Sequence, residues 1–235
     1  MSYFLTEEQQ LIRNSVREFC LDPNTRQATA ADRKQGGFPY ESWKLVAEQG
    51  YIGAYVPETY GGQGYDFTTY FVILEELSKM GNPASMVMGA HDLAILPLLY
   101  WGTEEQKKKY LVPLASGKAI GCGAVTDPAG LNNYPEWGMT VTEDGDEFVI
   151  NGTKVLVTNA HAADIKVVFG KPAGSYFDTV YVVEKDMPGV ETGFNERKIV
   201  PGNADWGTVN LKNVRVPKAN RVVDSGFGMT WFGPS

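Results

Sequence analysis

The sequence predicts an α+β fold: an all-helical N-terminal domain followed by an antiparallel β-barrel or sandwich domain. Three observations carry this. Two Thr-x-x-Gln capping boxes, at Thr6 to Gln9 and Thr103 to Gln106, punctuate the first half. Apolar residues there return at the helical spacing. From Ala119 onward the pattern becomes short β-branched runs separated by Asp-Gly and Asn-Gly.

Taken in order, Thr6 opens a first helix whose Leu11, Ile12, Val16, Phe19 and Cys20 share a face, and Asp22-Pro23 ends it. A second helix starts at Pro39, lines its inner side with Trp43, Val46 and Ala47, and stops at Gly50. The run Pro57 to Gly64 is too glycine-rich for an element. Helical spacing returns from Asp66 through Tyr70, Phe71, Ile73, Leu74 and Leu77 to Gly81. Asn82-Pro83 opens another helix, kinked or broken near Pro97, and Pro113 ends the short helix begun at Thr103. The strand half is expected to contain hairpins at Asp144-Gly145 and Asn151-Gly152. Further strands are expected at Lys154–Thr158, Ile165–Phe169, Thr179–Val183, Thr208–Leu211 and Val214–Val216. The domains are therefore expected at 1–118 and 119–225, with 226–235 as a tail.

Composition narrows the function. The chain has 235 residues, 43% of them hydrophobic, enough for a buried core. A net charge of −7 disfavours nucleic acid as a partner, because a phosphate-neutralising protein carries a basic surplus. The densest basic run, Lys107-Lys108-Lys109, reads as a solvated helix face. Cys20 and Cys122 lie far apart in different elements and are expected as reduced thiols, and no Cys/His cluster suggests a metal. The run Leu93 to Trp101 is too short to span a bilayer, and Met1 to Glu8 lacks the basic start and apolar stretch of a signal peptide. The expected location is cytoplasmic.

Single motifs carry little chemistry. Gly61-Gly62-Gln63-Gly64 has two readings, a phosphate cradle or a tight turn, and it lacks the strand-turn-helix context of a dinucleotide loop. His91, in an apolar helix, reads as a packing histidine before a base. No Ser, Cys or carboxylate arrangement is recognisable as nucleophilic.

Longer strings are more specific. Leu5-Thr6-Glu7-Glu8-Gln9-Gln10 with Val16-Arg17-Glu18-Phe19, then Val56 to Gly64, then Leu74-Glu75-Glu76-Leu77 and Gly102 to Gly117, stand in one order along the chain. Asn151-Gly152-Thr153-Lys154, Thr158-Asn159-Ala160 and Ala163-Asp164 continue it. Together they resemble the acyl-CoA dehydrogenase family from the first helix to about Asp224. The resemblance implies an FAD-dependent α,β-dehydrogenation of an acyl-CoA thioester, with hydride passing to flavin N5. It also implies electron-transfer flavoprotein as the electron acceptor.

The family's flavin-contacting LTEPxAGSD motif is similar to Val125-Thr126-Asp127-Pro128-Ala129-Gly130-Leu131-Asn132-Asn133. By that resemblance Val125 and Thr126 are cofactor-binding, the Thr126 hydroxyl bonding the pyrimidine side of the ring, and Asn132 stands where a serine meets the phosphates. Leu131 replaces a glycine, and Gly123 stands where an aromatic ring is usual. In the second motif Leu156, Val157 and Thr158 replace Trp-Ile-Thr: Thr158 keeps the hydroxyl for N5, while the flavin-shielding tryptophan is missing. Trp137 and Trp206 are the candidates to replace it.

The resemblance also implies a C-terminal helical domain, which this sequence is expected to lack. In the family that domain supplies the catalytic carboxylate, so no catalytic residue is assigned. The chain is expected to be a subunit or shortened form of the enzyme, in a homo- or hetero-oligomer with a chain that supplies that domain. The alternative is a flavin-free, non-catalytic scaffold subunit, because the departures at Gly123, Leu131, Asn132 and Leu156 cluster where the flavin would lie.

Overall fold

A computed structural model describes residues 5–131, 133–172, 179–193 and 204–223. Residues 5–89 and 112–118 cluster in one compact unit, and 90–111 with most residues from 119 onward in a second.

In the first unit α1 (Glu7–Leu21) starts at the expected capping box. Gln9 N–H donates to Thr6 Oγ1 at 3.2 Å, and Thr6 N–H donates to Gln9 Oε1 at 3.1 Å. Gln9 is itself buried and gives its side-chain amide to Thr69 Oγ1, so the cap also fastens α1 to α4 (Phe67–Lys79). Arg17 Nε meets the buried Glu76 carboxylate of α4 at 2.7 Å. These polar ties turn α1 so that Val16 and Cys20 face inward while Leu11, expected inside, is 69% exposed.

Asp22 ends α1 as expected, but a helix that the pattern did not predict follows at once. Its carboxylate accepts the N–H groups of Asn24 and Thr25 at the start of α2 (Pro23–Gln35). This helix has almost no apolar face. It is held instead by Asp32, whose buried carboxylate accepts Ser42 N–H at 2.7 Å and Glu41 N–H at 3.3 Å. Asp32 thereby satisfies the first turn of α3 (Tyr40–Glu48), where Pro39 offers no cap. Trp43 and Val46 are buried as expected, and the Trp43 indole donates to Gly117 O at 2.9 Å.

The helix α5 (Ala84–Trp101) continues through Pro97. A second capping box starts α6 (Glu104–Gln106), and the chain then widens into a π-turn at Lys107–Leu111 before α7 (Val112–Ala115). Pro113 sits inside α7 rather than ending the helix. Proline has no N–H for the carbonyl four residues back and its ring crowds that carbonyl; widening the preceding turn relieves both. No helix among the described residues is long and apolar enough to cross a membrane.

Among the described residues the second unit contains eight strands, β1 (Gly121–Ala124), β2 (Thr140–Asp144), β3 (Glu147–Thr158), β4 (Ile165–Pro172), β5 (Thr179–Glu184), β6 (Val190–Thr192), β7 (Trp206–Pro217) and β8 (Arg221–Val223). Their order is β6-β7-β3-β2-β4-β5-β8, with β1 beside β4. Most pairings are antiparallel, as expected, but β4 runs parallel to both β1 and β2. The expected β2–β3 hairpin forms, with its two turn residues at Gly145-Asp146, one position past Asp144-Gly145. Asn151-Gly152 does not make a hairpin: β3 runs straight through it. Lys212 and Asn213 of β7 stand opposite Asn151, whose side chain accepts Asn213 N–H at 2.8 Å. The glycine is needed because φ is 142° and a Cβ would lie 2.7 Å from Met139 Cα. The bulge itself lies on β7, where Asn213 takes φ 50°.

Cys20 and Cys122 are free, buried thiols. Burial pushes the Cys122 thiol from its ordinary value of 9.0 to about 11. Its folded value exceeds its unfolded one, so the resulting stability is full below pH 9 and is lost as pH rises toward 11. Urea unfolding between pH 8 and 11 should show the wild type losing about 2–3 kcal/mol more than Cys122→Ala over that window. Parallel pH profiles would contradict this.

Candidate functional site

The glycine loop is a turn and not a phosphate cradle. The N–H groups of Gly61, Gly62, Gln63, Gly64 and Tyr65 all donate to carbonyls of the same loop, those of Glu58, Pro57, Ala54, Val56 and Ala54. A nest for an anion needs such groups unspent. Gly62 is required by space, since a Cβ there would lie 1.9 Å from Val56 O. His91 is the packing residue expected: it is 1% exposed, and its Nδ1 accepts Gly121 N–H at 2.9 Å.

The residues expected to meet a cofactor come from two segments that pass each other in opposite directions. At one end Asn159 Nδ2 donates to Gly121 O at 3.1 Å; at the other, Val155 N–H donates to Thr126 O at 2.8 Å. Val125 and Thr126, just past β1, therefore lie beside the last residues of β3. Val125 and Val157 turn their side chains into the core. Thr126 is half-buried, and its hydroxyl and N–H have no hydrogen-bond partner among the described residues. Asn132 lies outside the described residues.

The β3–β7 ladder slips between Lys154 and Val157, so Val155 and Leu156 stand opposite Thr208 alone. Leu156 takes the left-handed conformation at φ 54° and is 54% exposed. That conformation is uncommon for a residue with a Cβ and marks a position held by its surroundings. Thr158 follows, paired across the ladder with Trp206, whose indole N–H donates to Thr158 Oγ1. An indole nitrogen only donates, so the Thr158 oxygen is the acceptor and its own hydrogen remains to be donated.

The turn after Thr158 is held from both sides. Asp205, buried, accepts the N–H groups of His161 and Ala162 at 2.6 and 2.9 Å and meets His161 Nδ1 at 2.5 Å. Lys166, also buried, donates to Ala160 O and Ala163 O at 3.0 and 2.8 Å, and burial holds its pKa below the usual lysine range.

Of the two candidate tryptophans, Trp206 is partly exposed beside Thr158, whereas Trp137 is buried with its indole N–H on Gly130 O at 3.0 Å. Leu131 is exposed, and the left-handed turn position is Gly130 at φ 99°. A Cβ on Gly123 would come within 2.5 Å of Leu93 Cβ on α5, so Leu93 occupies the space into which a side chain at 123 would extend.

A cluster that sequence reasoning missed lies under residues 125–139. The buried Asp127 carboxylate faces the fully buried Lys154 ammonium at 3.7 Å, and that ammonium lies 3.8 Å from the Trp137 ring centroid. The available signal was two charged residues within apolar strand-like runs, a pattern that buried pairing explains. As a whole the arrangement offers hydroxyl and amide donors along one edge, and no activated nucleophile among the described residues.

The fit of Leu93 against Gly123 is testable. Gly123→Ala should lower stability by about 1–3 kcal/mol through overpacking, and adding Leu93→Ala should recover part of the loss. Strictly additive losses in urea unfolding would show that the two positions do not meet.

Known proteins are similar to this chain in sequence and fold. Residues 6–118 match the model of the acyl-CoA dehydrogenase N-terminal domain, and residues 122–214 that of the acyl-CoA dehydrogenase middle domain. An acyl-CoA dehydrogenase of Bacillus subtilis is 33% identical over 230 residues, covering 95% of this chain and 60% of that protein. The caffeyl-CoA reductase–Etf complex subunit CarC of Acetobacterium woodii is 30% identical, covering 95% of this chain and 61% of that protein. The crystal structure of a Bacillus anthracis acyl-CoA dehydrogenase complexed with FAD superposes with a TM-score of 0.85 at 30% identity, covering 96% of this chain and 39% of that one. The chain thus spans about 60% of the length of the curated relatives it matches. With both domain models matched in order over most of its length, this chain belongs to the acyl-CoA dehydrogenase family.

Proposed function

We propose that this chain supplies the FAD-holding part of an acyl-CoA dehydrogenase acting on the α,β-bond of an acyl-CoA thioester. One observation carries the reading: Thr126 and Thr158 end two segments fastened side by side, each with a hydroxyl hydrogen to give. Those donors fit the nitrogen- and oxygen-rich side of an isoalloxazine ring. Thr126, through its hydroxyl and N–H, and Thr158, through its hydroxyl, would orient the ring, with Asn132 toward the phosphates. Val125, Leu156 and Val157 contribute backbone and shape. Bound there, FAD supplies the acceptor for the substrate's hydride. Keeping the ring fixed is this chain's part in aligning donor and acceptor.

No carboxylate in the chain is assigned as the base. That group, and the rest of the thioester site, would come from a C-terminal helical region in continued chain or in a partner subunit. The working form is therefore a homo- or hetero-oligomer, with 1–118 as helical domain, 119–225 as β-domain and 226–235 leading toward that region. Electron-transfer flavoprotein is the proposed electron acceptor, a reading supported by the relative that is a subunit of an Etf complex. The proposed location is the cytoplasm. A second reading, a flavin-free scaffold subunit, is favoured by the packing of Leu93 into the space beside Gly123.

The absorbance spectrum of the purified protein, fresh and again after excess FAD and gel filtration, separates the two. The enzyme reading expects about one flavin per chain. It expects Thr126→Val/Thr158→Val to weaken binding by roughly 10–100-fold, the worth of two hydrogen bonds. Unchanged retention in the double variant would remove these threonines from the site. No retention, even with a C-terminal partner supplied, would establish the scaffold reading.

A further inference from the structure

Among the described residues of 127–139, Trp137 and Met139 are buried. Ala129, Leu131, Asn133, Pro135, Glu136 and Gly138 are exposed. Polar contacts also tie its two ends together. Asp127 Oδ1 accepts Ala129 N–H at 3.3 Å and Gly138 N–H at 3.2 Å, and Oδ2 accepts Met139 N–H at 3.3 Å. One carboxylate thus gathers the start and the end of the loop. Trp137 gathers the middle through Gly130 O, and Lys154 of β3 lies against both, 3.7 Å from Asp127 Oδ2 and 3.8 Å from the Trp137 ring centroid. Lys154 is 0% exposed.

A buried ion pair is a poor device for stability, because desolvating both charges offsets most of their attraction. It is a good device for fixing one arrangement, since an ammonium over an aromatic face and beside a carboxylate has few alternatives. Lys154 also occupies a particular place. It is the last paired residue before the slip that contains Leu156, on the strand that ends at Thr158. The loop it holds begins beside Thr126.

We propose that Lys154 is a positioning residue for the cofactor: acting through Asp127 and Trp137, it sets the loop that carries Thr126 in register with the strand end that carries Thr158. The proposal rests on the FAD reading above and extends it to three residues that need not touch the ligand. Lys154→Met keeps the length and apolar stem of the side chain and removes the charge. Asp127→Asn keeps one acceptor oxygen and removes the opposite charge.

The test uses the full chain with and without FAD and reads three quantities. Hydrogen exchange of the cofactor-free protein should speed up across 127–139 in Lys154→Met, with the β2–β3 hairpin unchanged. The FAD dissociation constant should rise at least tenfold in Lys154→Met and in Asp127→Asn, and the double variant should be no weaker than the weaker single. At saturating FAD the visible circular dichroism of the bound flavin should change, which a merely less stable fold would not produce. Unchanged affinity with unchanged loop exchange overturns the proposal. So does faster exchange spread over the whole sheet, with an unaltered flavin spectrum at saturation. If the wild type binds no FAD while Lys154→Met still frees the loop, the clamp stands and the FAD reading falls.

Discussion

The buried amide of Asn159 sets the geometry on which the site depends. Its backbone is left-handed at φ 67°, its N–H donates to Asp205 O, and its side chain donates to Gly121 O. Asparagine is among the few residues that adopt this conformation readily, and here its side chain also pairs with a strand carbonyl that would otherwise be buried. The result is that the end of β3 and the start of β1 are fastened at one point. The bond from Val155 N–H to Thr126 O fastens them at a second. Two fixed points along two crossing segments leave little freedom for the residues between and beyond them, which include Val125, Thr126, Leu156, Val157 and Thr158.

Around that crossing, polar groups do the positioning that apolar packing does elsewhere. Asp205 and Lys166 hold the turn at 159–163, and Asp127, Lys154 and Trp137 hold the loop at 127–139. Apolar contacts tolerate sliding; hydrogen bonds and buried charges, costly when unmade, do not. The same economy runs through the helical unit, where Gln9, Asp22 and Asp32 each satisfy a helix start while joining two elements.

Much of this could be read from the sequence because its causes are local. A capping box is complete within four residues, and both boxes appear where Thr-x-x-Gln stands. The resemblance singled out Thr126 and Thr158 as candidates but could not show that Trp206 would donate to Thr158, because strand register is a long-range property. Asn151-Gly152 misled for a related reason: its turn chemistry is genuine, but the strand that pairs with it, bulged at Lys212 and Asn213, lies far along the chain. The helix at 23–35 has no apolar stripe to see, only an acidic residue at its start and another near its end. Leu11 fits the helical period, yet the ties made by Gln9 and Arg17 turn it outward. Pro113 stops a regular helix but not one whose preceding turn has widened.

The central claim is that the exit of β1 and the end of β3 form one cofactor-holding edge. A crystal structure of the protein grown with FAD tests it most directly. The account predicts the isoalloxazine against that edge, with the hydroxyls of Thr126 and Thr158 in hydrogen-bond contact with ring atoms. Flavin bound on another surface, or lying at the edge without contact to either threonine, would contradict it.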